Sequence, residues 1–206
     1  MTQALQRIVQ LLIVVLPSLS LAQDPKSTED TVNRAVHVCA ACHGESGNSA
    51  AAAFPRLAGQ QRMYTIEQLT LFRSQKRAES NAQAYMWGVS ALLDDATIAG
   101  LADYYAAQQP QPSPKSRDPK LVEAGRRIYE EGIPAKDVRP CASCHGENAE
   151  GASVFPRLAG QHADYVYLQL VQFRTRLRPY AVVMADVTKN MTREELKAVA
   201  AFVQSK

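Results

Sequence analysis

Cys39-Ala40-Ala41-Cys42-His43 and Cys141-Ala142-Ser143-Cys144-His145 repeat one pattern, C-x-x-C-H, at an offset of 102 residues. Together they use all four cysteines of the 206-residue chain and two of its four histidines. Cysteines three apart on a helical turn share a face, so both thiols can reach the two vinyl groups of one porphyrin. The histidine that follows can then set an imidazole nitrogen on the iron from one side. Zinc fits less well, because the gap from Cys42 to Cys141 far exceeds the roughly 15–20 residues of a zinc ribbon. A redox dithiol has no need of a histidine after its second cysteine. Disulfides are the alternative that spacing alone leaves open. The pattern predicts two covalent haem c groups, one on Cys39 and Cys42 and one on Cys141 and Cys144, with His43 and His145 on the irons.

The duplication extends well beyond the motifs. Phe54-Pro55-Arg56-Leu57-Ala58-Gly59-Gln60 returns as Phe155-Pro156-Arg157-Leu158-Ala159-Gly160-Gln161, at an offset of 101. Tyr64 and Tyr165, Leu69 and Leu170, Phe72 and Phe173, and Arg73 and Arg174 continue the match. A period this long, present twice, marks two homologous domains rather than a solenoid. Between them, Gln109-Pro110-Gln111-Pro112-Ser113-Pro114 and the three residues after it predict an extended, stiff linker. The expected division is a leader at 1–22, domain one at 23–108, a proline-rich linker at 109–117 and domain two at 118–206.

Each half reads as helical, and no segment alternates as a strand would. Ser27 and Asp30 resemble a capping pair ahead of a helix through Val32, Ala35, Val36 and Cys39. Asp118-Pro119 is an N-cap with proline at the first helical position, opening a helix that reaches about Glu131. A middle helix follows each FPRLAGQ run, with Tyr64, Leu69 and Phe72, or Tyr165, Leu168 and Phe173, on its apolar side. Last helices are expected over 95–107 and 192–204, the second opened by a Thr192/Glu195 capping box. Domains of fewer than about 90 residues have little apolar core of their own, so haem is expected to supply much of it.

The leader has Arg7 in a short n-region, the apolar run Ile8–Leu16, Pro17, and Ser20-Leu21-Ala22 as a small-x-small cleavage site. Its apolar run is well short of the roughly 20 residues of a membrane span. Export to the periplasm is therefore expected, and it agrees with thioether attachment outside the cytoplasm. A formal net charge of +3 gives no case for nucleic acid. Residues 24–108 carry 7 basic and 9 acidic residues, whereas 119–206 carry 13 and 10, so the halves differ in sign.

The far side of each iron decides the chemistry: methionine closes it for electron transfer, and an open position invites oxygen or peroxide. Met86 lies seven residues before Leu93 and Met184 seven before Met191, so these two methionines correspond across the repeat. They are the expected second axial ligands. Met63 corresponds to Asp164 and Met191 to Leu93, so neither is a duplicated ligand. His37 and His162 have no histidine counterpart, which leaves bis-histidine ligation as the minor alternative.

On these residues the chain resembles the dihaem class I cytochromes c of the cytochrome c4 family. The resemblance covers nearly the whole chain after the leader. It includes both CxxCHGE runs, both FPRLAGQ runs, the 161–166 stretch QHADYV, the two methionine-to-helix spacings and the endings LADYYAAQ and VAAFVQSK. It implies an all-α protein of two tandem cytochrome c-like domains, each wrapped around one covalent haem and facing the other about a pseudo-two-fold axis. It implies haem propionates near the interface, with Arg56 and Arg157 placed to neutralise them. It implies that the carbonyls of Pro55 and Pro156 accept from His43 and His145, and that Gly59 and Gly160 allow a close turn. Domain two departs by the longer run 132–140 ahead of Cys141, so the two haems are expected to differ in surroundings and potential.

The implied function is electron carriage in the periplasm between redox protein donors and acceptors, with a membrane terminal oxidase or a similar respiratory acceptor as the expected destination and peripheral membrane association left open. The alternative is the cytochrome subunit of a larger dehydrogenase, such as a flavin-containing sulfide-oxidising enzyme. A haem enzyme such as a peroxidase needs an open sixth position, against which the paired methionines argue.

Overall fold

A computed structural model of the chain describes residues 25–114 and 118–206, with side chains from Thr28 onward. The expected leader and the last three linker residues lie outside it. Domain one holds α1 (Pro25–His43), α2 (Arg62–Arg73), a π-helical turn (Ala82–Met86) running into α3 (Trp87–Ser90), and α4 (Asp95–Ala107). Domain two holds α5 (Pro119–Glu131), the short α6 (Ala142–His145), α7 (Ala163–Arg174), α8 (Val182–Thr188) and α9 (Arg193–Ser205). Among the described residues the only β-pairing is two isolated bridges, Ile133–Val138 and Ala152–Phe155. The all-α expectation holds.

Local signals account for most helix starts. Asp118 caps α5 through Lys120 and Leu121 N–H, with Pro119 at the first position. Thr192 and Glu195 close the expected capping box on α9, and Asp94 caps α4 through Thr97 N–H. The Ser27/Asp30 pair is a correction: α1 already spans both residues, so they sit inside the helix rather than ahead of it. A capping pattern read locally cannot show that a helix begins earlier.

In each domain the first and last helices cross, and a glycine lets them approach. A Cβ on Gly125 of α5 would lie 2.0 Å from the Ala198 carbonyl oxygen of α9. In domain one the glycine is on the other partner: a Cβ on Gly100 of α4 would meet Val32 Cγ2 of α1 at 2.4 Å. Around the α5–α9 crossing lies the larger core, including Ile128, Tyr129, Leu170, Leu196, Val199 and Val203. Domain one has a smaller buried cluster of Val36, Leu101 and Tyr105, backed by Val32, Leu57, Leu69 and Leu93.

The linker is a strap rather than a free spacer. Asn48 Nδ2 donates to Gln109 O at 3.0 Å and Gln111 N–H to Asn48 Oδ1 at 2.9 Å. Arg56 Nη1 donates to Gln111 O at 2.8 Å, and from domain two Gln204 Nε2 donates to Pro114 O at 2.7 Å.

Candidate haem sites and the domain interface

Domain one brings its motif in on the last turns of α1, whereas domain two reaches α6 only after the 132–140 loop. Both routes end in the same geometry. His43 Nδ1 lies 2.8 Å from Pro55 O and His145 Nδ1 lies 3.0 Å from Pro156 O. A carbonyl only accepts, so Nδ1 carries the proton and Nε2 keeps its lone pair. Both imidazoles are buried, at 7 % and 6 % exposure. Burial lowers both pKa values against the opposing pull of the proline carbonyls, which holds the rings neutral. Phe54 and Phe155 stand edge-on to the two rings, with centroids 6.2 and 6.3 Å apart.

All four cysteines are free of disulfides. Among the described residues no three His, Cys, Asp or Glu side chains gather as a metal site would need. Burial pushes the Cys141 thiol up to about 12 and the Cys39 thiol up from its usual value. A thioether, which carries no ionisable proton, suits such positions better than a thiolate.

Arg56 and Arg157 give the clearest fit test for haem. Each has a buried Nε with no hydrogen-bond partner, and neither makes an ion pair among the described residues. A buried cationic donor without an acceptor is costly, and a carboxylate-bearing prosthetic group would supply one. Together with the neutral, oriented imidazoles, this donor set fits haem.

The four methionines among the described residues differ in burial. Met86 ends the π-helical turn and Met184 lies in α8, both half-buried. Met63 is exposed, and Met191 is buried in the domain-two core. His37 is exposed. His162 is buried, with Nε2 donating to Ser49 O of the other domain at 2.9 Å.

Much of the domain contact is made by glutamines to which sequence reasoning gave no role. Gln60 donates Nε2 to Arg157 O at 3.1 Å and accepts from Arg157 N–H at 2.8 Å. Gln161 does the same to Arg56, at 2.9 Å both ways. Gly59 and Gly160, both at positive φ, make the turn that aims these glutamines. Deeper in, Gln68 Oε1 accepts from Arg77 and Arg178 at 2.9 and 2.8 Å, and Gln169 Oε1 accepts from the same two arginines at 2.9 and 2.7 Å. Arg77 also pairs with buried Glu79 at 2.6 Å; the position equivalent to Glu79 is Tyr180. The available signal was an identical polar residue at equivalent places in both copies.

Two expected outcomes arise here. Gln169→Leu removes one of the two acceptors that Arg77 and Arg178 share, leaving one N–H of each buried guanidinium unpaired, and should cost about 1–2 kcal/mol in chemical unfolding. His162 has a pKa held below its unfolded value, by burial and then by Arg56, against its Ser49 hydrogen bond and Asp164. The unfolded chain thus takes up the proton first, and stability falls as pH drops below about 6.5. His162→Gln, which installs the residue found at the equivalent position 61, should flatten that part of the profile of thermal midpoint against pH.

The sequence matches the Cytochrome c family over residues 33–107 and again over 122–206. It is 37% identical to cytochrome c-552 of Acidithiobacillus ferridurans, over 81% of this chain and 73% of the relative. It is 35% identical to cytochrome c4 of Azotobacter vinelandii, over 81% and 83%. It is 34% identical to the thiosulfate dehydrogenase electron acceptor of Stutzerimonas stutzeri, over 85% and 82%. Among solved structures, the cytochrome c4 of Acidithiobacillus ferrooxidans superposes with a TM-score of 0.76 at 37% identity, covering 82% of this chain and 98% of the other. A thiosulfate dehydrogenase of Marichromatium purpuratum superposes at 0.71 with 33% identity, covering 81% of this chain but 36% of that one. With a haem motif in each matched half, the chain belongs to the cytochrome c family as a dihaem electron-transfer cytochrome of the cytochrome c4 type, carrying two covalent haem c groups.

Proposed function

We propose that the chain works in the periplasm as an electron carrier. Cys39, Cys42 and Cys141, Cys144 hold the haems; His43 and Met86 ligate one iron, and His145 and Met184 the other. The observation that most supports this is the matched pair of buried imidazoles, each fixed through Nδ1 on a proline carbonyl with Nε2 left to bind metal. When bound, haem iron supplies a one-electron couple whose potential follows axial ligands and burial. The protein's own part is to keep that environment constant. Pro55 and Pro156 fix ring tautomer and orientation. Arg56 and Arg157 offer half-buried positive charge, each with a buried Nε, and the glutamine–arginine contacts hold the domains in one relative position. Two sites joined this way let electrons arrive at one domain and leave from the other.

The acceptor we favour is a membrane terminal oxidase or a similar respiratory complex. The relatives named thiosulfate dehydrogenase electron acceptors support a second reading, in which a dehydrogenase for sulfur compounds is the donor and this chain is its acceptor or cytochrome subunit. Purification from a periplasmic fraction tests both. Two c-type haems per chain by pyridine haemochrome, low-spin in both oxidation states, are expected. A single haem, or rapid carbon monoxide binding by the reduced protein, would overturn the closed-site reading. A stoichiometric dehydrogenase that stays bound would select the second reading.

A further inference from the structure

The repeat provides an internal control for surface charge, and one corner of domain two stands out against it. The 132–140 loop, absent from domain one, is tied onto the junction of α8 and α9. Asn190 Nδ2 donates to Lys136 O at 2.8 Å, and Lys136 Nζ pairs with Glu195 at 2.6 Å. This places Arg139 beside the end of α8. Arg139 and Arg176 both act on the carboxylate of Asp186, which pairs with Lys189 at 2.7 Å. Arg139, Arg176, Lys189 and Arg193 are all exposed.

The equivalent places in domain one carry no such charge. Arg176 corresponds to Gln75, and both have φ of 58°, so the backbone is kept while the charge changes. Lys189 corresponds to Ala91, and Arg193 to Asp95. In domain one Arg73 donates to Leu93 O and pairs with Asp95 at 2.6 Å. In domain two Arg174 keeps the matching bond to Met191 O, but Arg193 stands in place of the carboxylate. Five cations therefore meet at this corner against Asp137, Asp186 and Glu194, apart from the Lys136–Glu195 pair.

We propose that this corner of domain two docks an acidic redox protein, which exchanges electrons with the domain-two haem. The proposal rests on the electron-carrier reading and adds to it the face used and the charge of the partner. The cations gather around Asp186, which lies two residues from Met184 on α8, so a partner seated here lies close to the domain-two site. The interleaved carboxylates favour a protein over a membrane. A protein can set its own cations against Asp137 and Asp186, whereas an anionic lipid sheet meets them with like charge. Complementary charge of this kind raises association rates by about 10-fold to 1000-fold at low salt and loses its effect as salt screens it.

The test is stopped-flow reduction of the haem-loaded protein by reduced flavodoxin, an acidic redox protein, across ionic strength. The triple variant Arg139→Glu/Arg176→Glu/Lys189→Glu is expected to react at least about tenfold slower at low salt, with a flattened salt dependence. Lys120→Glu/Arg127→Glu on α5, which reverses two charges where the triple variant reverses three, should stay near the parent. Reduction by a small uncharged quinol should be equal in all three proteins, which shows that carrier function is intact. The proposal is overturned if the triple variant keeps the parent's rate and salt slope, or if the α5 variant loses as much. It is also overturned if the triple substitution abolishes binding to phosphatidylglycerol vesicles while leaving the flavodoxin rate unchanged. Failure of the quinol to reduce the parent would instead overturn the carrier reading itself.

Discussion

Gly125→Ala is expected to destabilise domain two by about 2–3 kcal/mol, while Gly100→Ala in domain one stays within about 1 kcal/mol of the parent. Alanine in a helix gains about 1 kcal/mol over glycine at either position. The difference lies in what the new methyl meets. At Gly125 it meets the Ala198 carbonyl oxygen at 2.0 Å, so α9 itself must shift and disturb the packing of Phe202 and its neighbours. At Gly100 it meets one methyl of Val32, with the next atoms at 3.4 Å or beyond, so a side-chain adjustment relieves the contact. Thermal unfolding followed by circular dichroism measures both. Equal losses in the two variants would show that the α5–α9 crossing is not the tighter one.

Met184→Ala and Met86→Ala should each open one iron and leave the other closed. The expected signature is loss of about half of the weak far-red methionine–iron band in either single variant and all of it in the double. The affected haem should fall in potential by an amount on the order of 0.1–0.3 V, since axial ligands set potentials over about 0.8 V. Carbon monoxide should then bind the reduced single variants to half occupancy. A full far-red band in Met184→Ala would remove that residue from the ligand set, and the half-buried position of its side chain would then be packing alone.

Much of this architecture is readable in the sequence because it is local or repeated. The haem motifs, the Asp118-Pro119 start, the Thr192/Glu195 box and the α4 boundaries all depend on residues a few positions apart. The proline carbonyls facing His43 and His145 are separated from them by 12 and 11 residues, close enough for a family resemblance to place them. The interface was not legible in the same way. Gln68 and Gln169 sit on helices among apolar residues, and a glutamine there reads as solvent-facing until the second domain brings Arg77 and Arg178 to it. Nothing near His162 in the sequence names its partner, a backbone carbonyl 113 residues away. The linker read as a stiff spacer because prolines report backbone preference and say nothing of the Asn48, Arg56 and Gln204 side chains that hold it.

The paired bonds of Gln60 to Arg157 and Gln161 to Arg56 have a further consequence. In these bonds each half offers the same patch to the other, and each bond is returned by its equivalent: the defining property of an isologous surface. Such a surface is self-complementary, so the geometry that joins the two halves of this chain is also the one that would join two copies of a single half. The strap then makes an association that would depend on concentration into one within a single molecule, at an effective concentration of about millimolar or above. It also lets the halves diverge: Glu79 opposite Tyr180, or Gln75 opposite Arg176, is a difference that a strictly symmetric pair could not carry.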